Sequence, residues 1–257
     1  MNIPVHLVPA RLDVMGPHDP RQNLLLSALD ADDLARLLPQ LSLVALPLGW
    51  SLFEAGSRLS HIYFPTSSVV SLVCAMDDGK SSAVASTGND GLVGVWPFLG
   101  DHHAPVQASV QCAGYAYRMG VGAVRDECAR GSSLRTWVLR YAQALMVQMA
   151  QIALCNRLHG MEQQLCRWLL CTRDALRSNK IRVTQDLIAS TLGARREGIS
   201  EAARKLREAG IIHCGRGYVT VLDRAKLEAN ACECYQAISS EMNRLLPYRN
   251  TDARSAK

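Results

Sequence analysis

The chain reads as an α+β protein in which an antiparallel β-roll is followed by a long helix and by a small helical unit closed with a β-hairpin. Three features predict this order. Short apolar runs broken by Gly, Pro, Asp and Ser fill Leu41 to about Met119. A stretch free of Gly and Pro then runs from Ser132 to His159. Last, VTQDLIASTLGARREGISEAARKLREAGII sets two short apolar-periodic segments either side of Gly193.

Composition bounds the rest. A chain of 257 residues that is 48% hydrophobic can bury a sizeable core and suits two modest domains. The net charge is +5, and its placement matters more than its size. Residues 161–228 hold 13 Lys/Arg against 8 Asp/Glu, while basic and acidic residues balance elsewhere. The excess therefore sits in one C-terminal block, where an acidic partner such as nucleic acid would be met. The opening MNIPVHLVPARLDVMGPHDP has no apolar core flanked by basic residues, and no window of about 20 uncharged apolar residues occurs. This predicts a cytoplasmic protein without a membrane partner. Nine cysteines, an odd number scattered through both halves, are then expected to be reduced and mostly buried.

Residues 1–22, with four prolines, read as a loosely ordered lead-in. Asn23–Pro39 has helical apolar spacing, with Asp30 as the cap of DADDLARLL. Residues 23–130 form the β-roll: Asp78-Gly79 marks a hairpin between VVSLVCAM and KSSAVAS, and the turn markers Gly88–Gly91 and Gly100-Asp101 follow at regular spacing. Residues 131–160 are the long helix. Its Leu134, Val138, Tyr141, Leu145, Gln148, Ile152 and Cys155 step by 4, 3, 4, 3, 4 and 3, a heptad seam that predicts dimerisation. Further apolar positions, Trp137, Ala142, Met146 and Met149, would let another face cover the β-roll.

The block 161–228 is helical again through MEQQLCRWLLCTRDAL, and a tail, 229–257, follows it. A helix capped by Thr184, with Gln185 and Asp186 in its first turn, ends at Gly193. A second runs from about Arg195 to Ala209 with Ile199, Ala202, Ala203 and Leu206 inward. Two short helices joined by a Gly turn make a helix-turn-helix, whose second member enters the DNA major groove by its N-terminal end. That puts Arg195, Arg196 and Glu197 where base edges are reached, with Ser200 one turn on. IIHCGRGYVTVLD supplies the wing, with Arg216 at its tip suited to a phosphate. Thr184, Gln185 and Lys205 complete the expected DNA-contacting set.

The order of β-roll, long helix, LIASTLGARREGISEAARKLREAGII and the wing GRGYVTVLDR resembles the cyclic AMP receptor protein/fumarate-nitrate regulator (Crp/Fnr) family of bacterial transcription factors. The resemblance covers about residues 23–228 and implies a cyclic-nucleotide-binding-like sensor, a dimerisation helix and a winged helix-turn-helix. Arg196 and Glu197 match the pair with which many members read DNA, while Glu201 stands where the cyclic AMP receptor has a further Arg. The family's function would be a homodimeric, sequence-specific transcriptional regulator on a two-fold operator. The resemblance also implies no enzymatic activity and, as partners, double-stranded DNA, a second copy and RNA polymerase. The competing reading is a regulatory module whose C-terminal helices contact a protein instead.

The sensory site departs from the family's pattern. Val95 follows Gly94 where the resemblance expects Glu for a ribose, and Ala104, Pro105 and Val106 offer no Arg for a cyclic phosphate. A buried phosphate would lack its charge partner, so control by cyclic AMP in the usual way is not expected. The residues of the roll point to no particular cofactor, and no metal site is expected. The first cysteine is Cys74, so an N-terminal iron-sulfur cluster of the oxygen-sensing branch is not expected. Adjacent His102 and His103 read as a solvated turn. Cys232-x-Cys234, with no second Cys pair nearby, reads as two ordinary helix cysteines on different faces.

Overall fold

The computed structural model describes residues 18–249. Most of the expected lead-in, residues 1–17, lies outside the described residues. Its described end, Pro20–Gln22, is a single 3-10 turn. Asn23 follows, fully buried, and ties three segments together. Its Oδ1 accepts from the Leu26 N–H at 3.1 Å, capping α1 (Leu24–Ser27), while its Nδ2 donates to the carbonyls of Pro65 and Gly91 at 2.9 and 2.8 Å.

The helix expected over Asn23–Pro39 is in fact two, α1 and α2 (Ala31–Leu37), closed by a 3-10 turn at Leu38–Gln40. Leu24, Leu25 and Leu26 are all buried, and three consecutive residues cannot share one stripe of a straight amphipathic helix. Asp30 does occupy the N-cap of α2, but its side chain makes no capping bond. Its backbone N–H instead donates to Ser133 Oγ at 3.1 Å.

Among the described residues seven strands build the roll: β1 (Ser42–Leu46), β2 (Ser51–Phe53), β3 (His61–Pro65), β4 (Val69–Ala75), β5 (Ser81–Thr87), β6 (Gln107–Cys112) and β7 (Gly114–Gly120). They pair antiparallel in two sheets, β1-β7-β3 and β2-β6-β4-β5. The Asp78-Gly79 hairpin joins β4 to β5, with Gly79 at φ +82° as the turn demands.

Helix α3 (Val121–Ala129) leads to α4 (Ser133–Leu158), whose N-terminus is met by a carboxylate from α2. Asp33 Oδ2 accepts from the Ser133 N–H at 2.6 Å and from its hydroxyl at 2.5 Å, and Arg36 bridges Asp33 to Glu127. A negative charge at the positive end of a 26-residue helix is favourable. The Ser133 hydroxyl above all, then the Ser133 N–H and Arg36, hold the Asp33 carboxyl below the usual carboxylate range.

The heptad seam of α4 does not face outward. Leu134, Val138, Tyr141, Leu145, Gln148, Ile152 and Cys155, expected to join two copies, are all buried within this chain. Two covers account for it. Along β5, Tyr141 Oη bonds Thr87 Oγ1 at 2.6 Å and Gln148 Oε1 accepts from the Ser86 N–H at 3.2 Å. The second cover is α9 (Glu233–Leu245), which packs along α4 through Ile238, Met242 and Leu245. The described part of the expected tail, residues 229–249, thus contributes to the core through α9. Its end is pinned by Tyr248, whose hydroxyl donates to the Asp90 carbonyl at 3.0 Å, and by an Arg249–Asp90 ion pair at 2.9 Å.

Helix α5 (Met161–Leu176) starts the C-terminal unit, followed by β8 (Lys180–Arg182), α6 (Gln185–Leu192), α7 (Arg196–Glu208), β9 (Ile212–Gly215), β10 (Tyr218–Val221) and α8 (Arg224–Ala229). Its core takes Leu165, Trp168 and Leu169 from α5, Ile188 and Leu192 from α6, and Ile199, Ala202, Ala203 and Leu206 from α7. Val69 and Cys112 of the roll belong to the same cluster. A buried polar chain crosses the join: Ser71 donates to Gln111 at 2.6 Å and Gln111 to Thr172 of α5 at 2.9 Å.

Two outcomes follow from these contacts. Tyr141→Phe leaves Thr87 without its buried partner and should cost about 1–3 kcal/mol, read as a lower urea midpoint at unchanged slope. Asp33→Ala should cost about 1 kcal/mol at neutral pH through the lost cap. Because the folded-state pKa of Asp33 lies below its unfolded value, that contribution is complete above the ordinary carboxylate range and is lost as pH falls through the folded value. Stability of the wild type and the variant, measured by denaturation across acid pH, should therefore converge.

Candidate nucleic-acid interface

Helix α6 begins where Thr184 Oγ1 accepts from the Leu187 N–H at 3.2 Å. It ends at Gly193, which takes φ +62° and lies so close to the β4–β5 hairpin that an added Cβ would meet Ser82 Cβ at 3.1 Å. Ser82 Oγ also donates weakly to the Thr191 carbonyl at 3.4 Å. The turn of the helix pair is therefore seated on the β-roll as well as on its own core.

Arg195 is the N-cap of α7, and Arg196 and Glu197 form its first turn, all three exposed. The inward face of α7 consists of Ile199, Ala202, Ala203 and Leu206, as its apolar spacing predicts, so the charged tip is turned to solvent. Arg196 Nε lies 3.3 Å from Asp186 of α6, an exposed pair that holds the guanidinium weakly. Ser200 Oγ donates to Gln185 Oε1 at 2.9 Å and links the two helices directly.

The wing is the β9–β10 hairpin, with Arg216 exposed at its tip and Gly217 at φ +78°. Gly215 packs against the Tyr218 ring, where an added Cβ would lie 2.1 Å from Cζ. A third strand escaped the sequence reading: β8 pairs antiparallel with β10, setting Arg182 opposite Tyr218, and Lys180 Nζ lies 4.6 Å from the Tyr218 ring. The short alternation in KIRV just ahead of Thr184 was the available signal.

The expected residues do not all share one cleft. Thr184, Gln185 and Arg196 line one open cleft with Gly215, Gly217 and Tyr218 of the wing. Lys205 does not belong to it; it faces Glu162 of α5 at 3.5 Å beside Gly198 and Glu201. Glu201, where a further Arg stands in the cyclic AMP receptor, is bonded to Arg204, which holds its carboxyl below the usual range. The tip of α7 can thus present two guanidinium groups and one carboxylate to a groove wide enough for a helix.

In the roll, Val95, Ala104 and Val106 are buried in the main hydrophobic core. Among the cysteines, burial pushes the Cys112 and Cys166 thiols up to about 12. Cys232 and Cys234 do not point apart as expected from their spacing. Cys232 is the N-cap of α9 and Cys234 lies in its first turn, and both face Cys155 and His159 at the end of α4. The partner half, Cys155 and His159, is more than 70 residues away along the chain, so no local spacing could reveal it. Among the described residues no helix is long and apolar enough to cross a membrane.

Residues 163–230 match the family model of the Crp-like helix-turn-helix domain. No curated protein matches the chain. Solved structures share its fold. FixK2 from Bradyrhizobium japonicum is 12% identical with a TM-score of 0.65, over 75% of this chain and 98% of its own. The c-di-GMP responsive global regulator CLP of Xanthomonas campestris is 15% identical with a TM-score of 0.59, over 76% and 100%. A protein described as a transcriptional regulator of the Crp/Fnr family from Eubacterium rectale is 16% identical with a TM-score of 0.57, over 81% and 98%. The chain thus carries a Crp-like helix-turn-helix domain at residues 163–230 and has the fold of the Crp/Fnr transcriptional regulators.

Proposed function

We propose that this protein is a transcriptional regulator that reads a two-fold DNA operator as a homodimer, with the N-terminal tip of α7 in the major groove. The observation that carries the reading is the exposed trio Arg195, Arg196 and Glu197 at the start of a helix whose opposite face is fully engaged in the core. Arg bonds guanine O6 and N7 together and Glu accepts from cytosine N4. The exposed Arg196–Asp186 pair is weak enough to yield to a base. Thr184 keeps a hydroxyl proton free for a phosphate while its oxygen caps α6, and Arg216 reaches backbone phosphate from the wing. Gln185 and Ser200 set the angle between the two helices, and Lys205, braced on Glu162, adds long-range positive charge.

The dimer is built on the outer face of α4, with the inward seam coupling that helix to the roll through Tyr141 and Gln148. Leu139, Gln143, Met146, Ala150 and Ala153 step by 4, 3, 4 and 3, and all are exposed. Leu154 and Leu158, 50% and 66% exposed, flank this second heptad stripe. An apolar stripe of that length on a solvent face is suited to a self-complementary contact with a second copy. Two recognition helices then dock on half-sites about one helical turn apart, 10–10.5 bp. The buried apolar Val95, Ala104 and Val106 support an input to the roll other than the usual cyclic-nucleotide contacts.

Selection of bound sequences from random duplex DNA tests the reading: a two-fold motif should emerge, and no enrichment at low salt would overturn it. Arg196→Ala should lose one guanine from each half-site, at about 1–3 kcal/mol of discrimination. Arg216→Ala should instead weaken all sequences alike and lower the salt slope by about one. Met146→Glu should turn the dimer into a monomer in sedimentation experiments and weaken operator binding with it.

A further inference from the structure

Cys155, His159, Cys232 and Cys234 bring their Sγ and ring-nitrogen atoms within 4.8 Å of one another. Cys155 and Cys232 are 3.5 Å apart, and Cys234 Sγ is 3.4 Å from His159 Nδ1. A tetrahedral zinc with three thiolates at roughly 2.3 Å and an imidazole at roughly 2.0–2.1 Å has ligand-to-ligand edges of about 3.5–3.8 Å, the size of these separations. Such edges suit one ion; donors to a polynuclear iron-sulfur cluster would have to stand further apart.

The surroundings are those of a metal site. His159 turns Nδ1 to the sulfurs and Nε2 to Glu233 Oε1 at 3.3 Å, so Nε2–H would donate to the carboxylate and leave Nδ1 as the ligand. Two N–H groups donate to sulfur: Gln151 Nε2 to Cys234 at 3.1 Å and Arg167 Nε to Cys155 at 3.2 Å. Arg167 is 2% exposed and has no carboxylate within ion-pair distance among the described residues. A buried guanidinium needs a compensating charge. Zn²⁺ with three thiolates and a neutral imidazole carries a net charge of −1, which Arg167 would neutralise. The three cysteines are buried, so no position is left open for a substrate and the site is of the structural kind.

We propose that Cys155, His159, Cys232 and Cys234 bind one structural zinc ion, clamping the end of α4 to the start of α9 at the junction with α5. His159 is the C-cap of α4 and Gly160 the N-cap of α5, so the ion sits where the long helix hands over to the DNA-binding unit. Binding joins three Zn–S bonds and one Zn–N bond and releases the three thiol protons to solvent.

The test uses the full-length chain without a histidine tag, purified under reductant. Elemental analysis should find one zinc per chain. After chelation, cobalt(II) should bind one per chain with a thiolate-to-cobalt charge-transfer band and the intense visible bands of tetrahedral cobalt, which zinc then displaces. Cys234→Ser should lose this signal, Glu233→Ala should weaken zinc affinity ten- to a hundredfold, and Cys74→Ser, an exposed cysteine outside the cluster, should change nothing. The proposal fails if reduced wild-type protein takes up no cobalt, if cobalt binds without thiolate charge transfer, if Cys155 and Cys232 prove to be joined as a disulfide under reductant, or if Cys234→Ser binds as the wild type does. Should Cys234→Ser not fold, the wild-type spectrum and Glu233→Ala decide alone.

Discussion

Tyr141, fully buried in the third turn of α4, bonds Thr87 through its hydroxyl and lies against Gly91, where an added Cβ would come within 2.1 Å of the ring. Gly91 is in turn held by Asn23, which caps α1 and bonds the end of β3. One aromatic side chain and one glycine thus set how closely the long helix approaches the roll. Everything built on α4 inherits that distance: α9 covers its second side, and Tyr248 and Arg249 close the corner on Asp90.

Because α4 spends its inward heptad on its own chain, it has a second stripe for another use. A 26-residue helix is long enough to carry both, and the division is visible in burial: Leu145 is buried while Met146 is 60% exposed. Movement of the roll against α4 would be felt directly by the outer face, since Thr87 and Ser86 grip the helix at two points along its length. The DNA-binding unit is coupled a second time through the β4–β5 hairpin, which touches Gly193 at the helix-turn-helix turn.

The end of α4 is the other junction. There His159, Gly160 and the first turn of α9 meet, and a set of thiols, an imidazole and a buried guanidinium share a small volume. Such a concentration of groups is costly unless each is compensated. The end of α4, the start of α5 and the first turn of α9 thus meet at one point.

Features that depend on neighbours in the chain are legible before folding is considered. The Asp78-Gly79 hairpin, the bounds of α5, the Gly193 turn, the inward face of α7 and the β9–β10 wing all follow from local periodicity and turn chemistry. The charged tip of α7 was legible for the same reason. Other features arise only from packing: the heptad from Leu134 to Cys155 faces inward, α9 completes the core, Lys205 stands apart from the tip, and Cys232 and Cys234 meet Cys155 and His159. A helix's period says which residues share a face but not what covers it, and ligands contributed by distant segments leave no spacing to read; both are settled only when the chain has packed.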